Sequence, residues 1–153
     1  MIPHWRRRFN EQFTGEKYAA FLRSLEELAG DNIDFRPCET PVFIPADVLS
    51  DLLESSSEII SQLATPEYHA TSAAAIPAQY NAPGEGSHPD FVVVDFAVTR
   101  DESGELAPKL IELQGWASLY AFQLELPEVY RAHFDLEGLE DLLSGLTRAD
   151  YIA

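Results

Sequence analysis

The feature that most constrains the fold of this chain is a pair of extended apolar segments joined by a short polar turn. Residues 91–98 are almost all β-branched or aromatic, and residues 109–114 form a second segment of strand character. Between them, residues 100–105 read Arg-Asp-Glu-Ser-Gly-Glu, a composition typical of a turn. This arrangement predicts an antiparallel β-hairpin.

Apolar residues at helical spacing predict helices before the hairpin. The first helix covers residues 14–29, with Thr14 placed to cap its start and Gly30 its end. A second covers residues 45–63, and a third opens at Thr65, where Pro66 takes the first helical position and an alanine-rich run follows.

Four shorter elements are also expected. Residues 42–44, bracketed by prolines, have the composition of a strand or edge segment. Helical residues resume over 117–123, and Pro127 is expected to restart the helix near residue 128. The run 147–150 resembles a capping box opening a last helix, which suggests either a piece of a longer protein or a frayed terminus.

A chain of 153 residues falls within the usual span of one domain. The expected fold class is α/β of the α+β type. A small antiparallel sheet built on the central hairpin would be packed by several amphipathic helices, in one domain over residues 1–153.

The charge balance limits the partners. With 26 acidic and 10 basic side chains, the net charge of −16 disfavours nucleic acids and anionic membranes and favours cations or cationic partners. The basic run at residues 6–8 is expected to be a docking or salt-bridging segment. No window approaches the roughly 20 apolar residues of a membrane span. The single cysteine, Cys38, excludes an intrachain disulfide, so nothing indicates an oxidising compartment and the expected location is the cytoplasm. Cys38 itself is expected to be a small buried thiol.

The hairpin is expected to bring two acids together. If its turn is centred between Ser103 and Gly104, residues whose numbers sum to about 207 face one another, and Asp95 faces Glu112. Two like charges in this position are destabilising unless a cation lies between them. A divalent metal, most naturally Mg²⁺, would resolve the conflict, with Asp95 and Glu112 as its ligands.

Two alternatives remain open from the residues alone. The acids could be neutralised by an arginine, for which Arg36, Arg100 and Arg131 are the candidates. The register could also slip by one residue and separate the two side chains.

The same residues carry a family resemblance. The runs 94–96 and 110–115, with Ser118, resemble the hairpin of ATP-grasp ligases, in which an Asp on one strand and a Glu-x-Asn on the next hold the magnesium ions of ATP. The resemblance implies that Asp95 and Glu112 are metal ligands and that Gln114 takes the asparagine position in binding the Mg²⁺–ATP cofactor. Because Gln is one methylene longer than Asn, its amide oxygen is expected to reach the substrate or a group around the metal ligands instead of the metal itself, so the resemblance does not extend to a complete two-metal site.

Most of the chain, through the run ending at Gln123, is similar to the beginning of a family of larger, uncharacterised bacterial proteins. These resemble circularly permuted ATP-grasp enzymes of the glutathionylspermidine synthase type. The resemblance implies the N-terminal portion of an ATP-dependent carboxylate–amine ligase, with a small-molecule or peptide substrate. The alternative is a non-enzymatic protein-interaction or assembly module that docks on the rest of a longer chain or on itself.

The residues of an ATP clamp are missing from this segment. Such a clamp uses lysines and a glycine-rich loop to hold phosphates, whereas the chain has only Lys17 and Lys109, neither of them in such a loop. The chain on its own is therefore expected not to turn over ATP.

Overall fold

The computed structural model describes residues 2–84, 86, 88–115, 119–141 and 145–153, with the backbone alone at Ala121. The elements, in chain order, are α1 (Pro3–Gln12), α2 (Gly15–Ala29), α3 (Ala46–Leu63), α4 (Pro66–Ala75), a 3₁₀ turn (Ala78–Tyr80), β1 (Val93–Arg100), β2 (Leu106–Gln114), α5 (Tyr120–His133) and α6 (Arg148–Ile152). Helices combined with one antiparallel hairpin confirm the predicted α+β class. No helix within these ranges is long and apolar enough to cross a membrane.

The chain forms two compact units. The first combines Met1–Phe43 with Ser118–Ala153 and contains α1, α2, α5 and α6. The second, Ile44–Ala117, contains α3, α4 and the hairpin.

The first unit holds an aromatic core. Its rings pack closely, with centroids 4.4 Å apart for Phe9 with Phe134 and for Phe21 with Tyr130. Such tilted pairs bury large apolar areas and add a specific ring geometry. The buried side chains of the cluster are Phe9, Phe21, Leu25, Phe43, Val129, Tyr130, Phe134 and Leu136.

The predicted helix ends are confirmed. The Thr14 hydroxyl accepts from the Lys17 amide at 3.1 Å, and Gly30 closes α2 in the left-handed conformation, at φ 71°. The Thr65 hydroxyl accepts from Tyr68 N at 3.2 Å and caps α4 in the same way. The Thr147 hydroxyl accepts from the Asp150 amide at 3.2 Å, as in the predicted capping box.

Two predicted elements are wrong. No strand forms over residues 42–44, because this segment lacks a ladder partner and instead Phe43 O accepts one bond from Ile2 N at 2.9 Å. Pro127 does not restart a helix, since α5 runs through it from Tyr120 to His133. A proline inside a helix removes one backbone hydrogen bond, and the residues packed on the core keep α5 helical around it. The predicted helix start at residue 117 lies outside the described residues.

One helix was not predicted. The segment with the basic run forms α1, which begins with proline at a first-turn position. Its predicted salt-bridging character is seen at Arg8, which forms an ion pair with Asp135 and lies over the Trp5 ring at 5.0 Å.

Candidate metal centre on the hairpin

A side-chain hydrogen-bonded turn sets the geometry of the hairpin. Asp101 Oδ1 accepts from the backbone N–H of Ser103 at 2.8 Å and of Glu105 at 3.0 Å. Gly104 has a φ of 88°, which only glycine adopts without strain. These bonds lower the pKa of Asp101, with the Ser103 side chain contributing most.

A β-bulge brings the two acids together. On the loop side the ladder is centred on Ser103 and pairs Phe96 with Leu110. The register shifts beyond Phe96, so that Asp95 pairs with Glu112 and Ile111 is the extra residue. The predicted pairing of Asp95 with Glu112 is therefore confirmed, although a turn centred on Ser103 would alone have placed Ile111 opposite Asp95.

Gln114 connects the two carboxylates. Its amide nitrogen donates to Glu112 Oε1 at 2.6 Å and to Asp95 Oδ2 at 3.2 Å. Since one nitrogen contacts both oxygens, the acids lie close enough to share a single bridging group. The amide offsets part of their mutual repulsion, because it presents the positive end of its dipole to both.

The three candidate arginines bind other groups. Arg36 pairs with Glu39, and Arg100 donates to Gly104 O at 2.6 Å. Arg131 pairs with Asp141 at 2.5 Å and with Glu128 at 3.3 Å. Each of these arginines binds a group within ten residues of itself in the chain. None of these bonds is to Asp95 or Glu112, so they do not support neutralisation of the hairpin acids by an arginine.

The surroundings of the pair leave room for a ligand. Asp95 is half-buried and Glu112 is exposed. An open depression of about 410 Å³ is lined by residues 112–115. Residues 116–118, which belong to the run that resembles ATP-grasp proteins, lie outside the described part of the chain.

The donor set fits a magnesium ion in part. Mg²⁺ prefers oxygen ligands and is often held by one or two carboxylates, with water and phosphate oxygens completing its shell. Asp95 and Glu112 supply two carboxylates, and the Gln114 amide carries one further oxygen. Within the described ranges no group of three or more His, Cys, Asp or Glu side chains is placed to hold a metal. Water or substrate oxygens would therefore complete the coordination.

Two other chemically notable positions belong to the first unit. Ser24 Oγ and His133 Nε2 lie 3.0 Å apart, a contact between α2 and α5 that sequence patterns did not indicate. Spacing on single helices cannot reveal a pair separated by 109 residues. Cys38 is exposed, so its prediction as a buried thiol is wrong. The backbone carbonyl of Cys38 accepts a hydrogen bond from the Tyr130 hydroxyl.

The fold and the site together define a small α+β chain with an amide-bridged acidic pair on a hairpin. Comparisons with protein-family models, curated proteins and solved structures find no match to the chain.

Proposed function

We propose that this chain contributes a Mg²⁺-binding carboxylate hairpin to an ATP-grasp-like carboxylate–amine ligase, without forming a complete active site. The observation that carries the proposal is the placement of Asp95 opposite Glu112, with Gln114 bridging them. The motif resemblance supports the choice of reaction class. The single most economical role for two facing carboxylates on a partly exposed hairpin is to bind a divalent cation.

In the proposed function, the carboxylates of the hairpin and the groups that bind phosphate have separate roles. Asp95 and Glu112 would hold the cation, which when bound would supply positive charge to the phosphates of ATP. In this class of reaction the terminal phosphoryl group of ATP passes to a carboxylate and ADP leaves, and the amine then attacks the acyl phosphate and displaces inorganic phosphate. The lysines and glycine-rich loop for that chemistry would come from additional sequence, since Lys17 and Lys109 stand in no such loop.

Metal titration tests the proposal. Mn²⁺ serves as a spectroscopic substitute for Mg²⁺, and its binding is measured by electron paramagnetic resonance and by calorimetry. Asp95→Asn and Glu112→Gln should each weaken binding by about 10-fold or more, because each removes a charged ligand. Glu102→Gln is the matched control, since it removes one acidic charge from the loop of the same hairpin and should change affinity less than about 2-fold.

Two outcomes would contradict the metal assignment. One is an equal loss of binding in Glu102→Gln, which would indicate diffuse attraction to an acidic surface. The other is a thermal shift with ATP that does not depend on metal, because nucleotide would then bind without the carboxylate pair.

A specific observation also favours the alternative, a non-enzymatic interaction module. The hairpin exposes apolar side chains, with Val98 at 47%, Leu110 at 49% and Ile111 at 65% of their full exposure. A two-stranded hairpin is marginal by itself, and exposed apolar groups on it are typical of surfaces that bind another protein. Indifference to metal combined with a concentration-dependent dimer in sedimentation would favour this function.

A further inference from the structure

We propose that Gln114 is a built-in competitor of the metal: its amide nitrogen occupies the position between the carboxylates that a cation would take. The inference rests on the proposed function and concerns how the same site is regulated. It departs from the role implied by the family resemblance, in which Gln114 would supply a ligand oxygen.

The contacts support the competing role. The amide nitrogen lies within hydrogen-bond distance of both carboxylates, at 2.6 Å from Glu112 Oε1 and 3.2 Å from Asp95 Oδ2. A Mg²⁺ ion bound to the same two oxygens requires contacts of about 2.1 Å and cannot share that space with an NH₂ group. Metal entry must therefore break both hydrogen bonds and move the amide away.

The exchange has a definite thermodynamic consequence. Without metal, the two N–H groups stabilise the acidic pair and the end of the hairpin. With metal, that stabilisation is lost and subtracts from the affinity. Gln114 thus lowers the affinity of the site for every cation by the same factor, and a cation that brings additional ligands, such as the phosphates of a nucleotide, can compensate for that loss.

Methionine at this position separates the two possible roles. It has nearly the length and volume of glutamine but lacks both the N–H donors and the amide oxygen. If Gln114 is mainly a competing donor, Gln114→Met should bind Mn²⁺ more tightly. If it is mainly an oxygen ligand, the same substitution should bind Mn²⁺ more weakly.

The experiment uses the full chain and two readouts. Thermal unfolding in EDTA, followed by circular dichroism, should show a lower Tm for Gln114→Met than for the unsubstituted protein. Mn²⁺ titration should show affinity increased by about 5-fold or more, because one net hydrogen bond corresponds to about 5-fold and metal entry breaks two. Gln62→Met on the exposed surface of α3 is the control, and it should change neither the Tm nor the affinity.

The outcomes separate the inference from the function on which it rests. One outcome overturns the competition alone: Gln114→Met binds Mn²⁺ with weaker or unchanged affinity, while metal binding of the unsubstituted protein still depends on Asp95. Absence of Mn²⁺ binding in both the unsubstituted protein and Gln114→Met overturns the metal site and the competition together. Binding that appears only after the Gln114→Met substitution and depends on Asp95 supports both.

Discussion

Among single residues, Tyr130 shows most clearly how a polar group is accommodated in the aromatic core. Its ring packs on Phe21, and its hydroxyl donates to the backbone carbonyl of Cys38. Burial raises the pKa of Tyr130 well above its ordinary value, because the phenolate would lose its hydration. The side chain therefore ties α5 to the segment around Cys38 in its neutral form.

Tyr130→Phe should lower the free energy of unfolding by about 1 kcal/mol, since it leaves the Cys38 carbonyl without this donor and keeps the ring. Denaturant unfolding at neutral pH measures the change. Tyr80→Phe is the control and should be neutral, because Tyr80 is 74% exposed.

The same substitution has a defined pH dependence. In the unfolded chain Tyr130 ionises near pH 10, whereas in the folded chain its raised pKa keeps it neutral. Raising the pH above about 10 therefore favours the unfolded state of the unsubstituted protein. The difference in free energy of unfolding between this protein and Tyr130→Phe should then decrease. A stability difference between the two proteins that increases above pH 10 would contradict the burial of this hydroxyl.

The site residues could be predicted only in part. Strand alternation and a turn estimate predicted that Asp95 pairs with Glu112, but the turn is centred half a residue earlier than that estimate, and the pair forms because the bulge at Ile111 shifts the register. The donation from Gln114 could not be predicted, since the orientation of an amide depends on the charges around it in the folded molecule. The bulge at Ile111 left no signal in composition either.

At the scale of elements, α5 is notable for continuing through Pro127. Proline lacks the amide hydrogen that would reach the carbonyl of Gln123, so the helix loses one bond at that point. Pro66 stands instead in the first turn of α4, where the missing hydrogen has no intrahelical acceptor.

Pro127→Ala should therefore raise the free energy of unfolding by about 1 kcal/mol or more, because it restores a helical hydrogen bond. Pro66→Ala is the matched control and should change stability by less than about 0.5 kcal/mol. Thermal and denaturant unfolding both measure the difference. A Pro127→Ala protein less stable than its parent would show that proline at this position favours the packing of α5 on the core.

Elements with local signals were predicted well. The caps at Thr14, Thr65 and Thr147 were visible because each uses a hydroxyl and an amide three residues apart. The helix α1 and the absence of a strand at residues 42–44 were missed, since both depend on contacts with distant parts of the chain. The continuity of α5 was missed for the same reason.

For the whole molecule, the dominant electrostatic property is the net charge of −16. Acidic side chains repel one another more strongly in the compact state than in the unfolded chain. Salt screens this repulsion, since the Debye length falls from about 30 Å at 0.01 M to about 8 Å at 0.15 M.

Raising NaCl across this range should therefore raise the Tm. MgCl₂ at equal ionic strength should raise it further in the unsubstituted protein, because bound metal adds its own stabilisation. The extra effect should disappear when Asp95→Asn and Glu112→Gln are combined. A Tm that falls with NaCl would show that attractive ion pairs, such as that of Arg8 with Asp135, outweigh the repulsion.

The bulge at Ile111 adds one residue to β2 that has no partner on β1. In a regular ladder, the loop alone determines which residues meet across the whole hairpin. Here the loop determines the pairs nearest to it, and the extra residue shifts the register by one on β2 between Phe96 and Asp95. The loop and the extra residue together determine that the two acids meet, and neither one alone sets the pair.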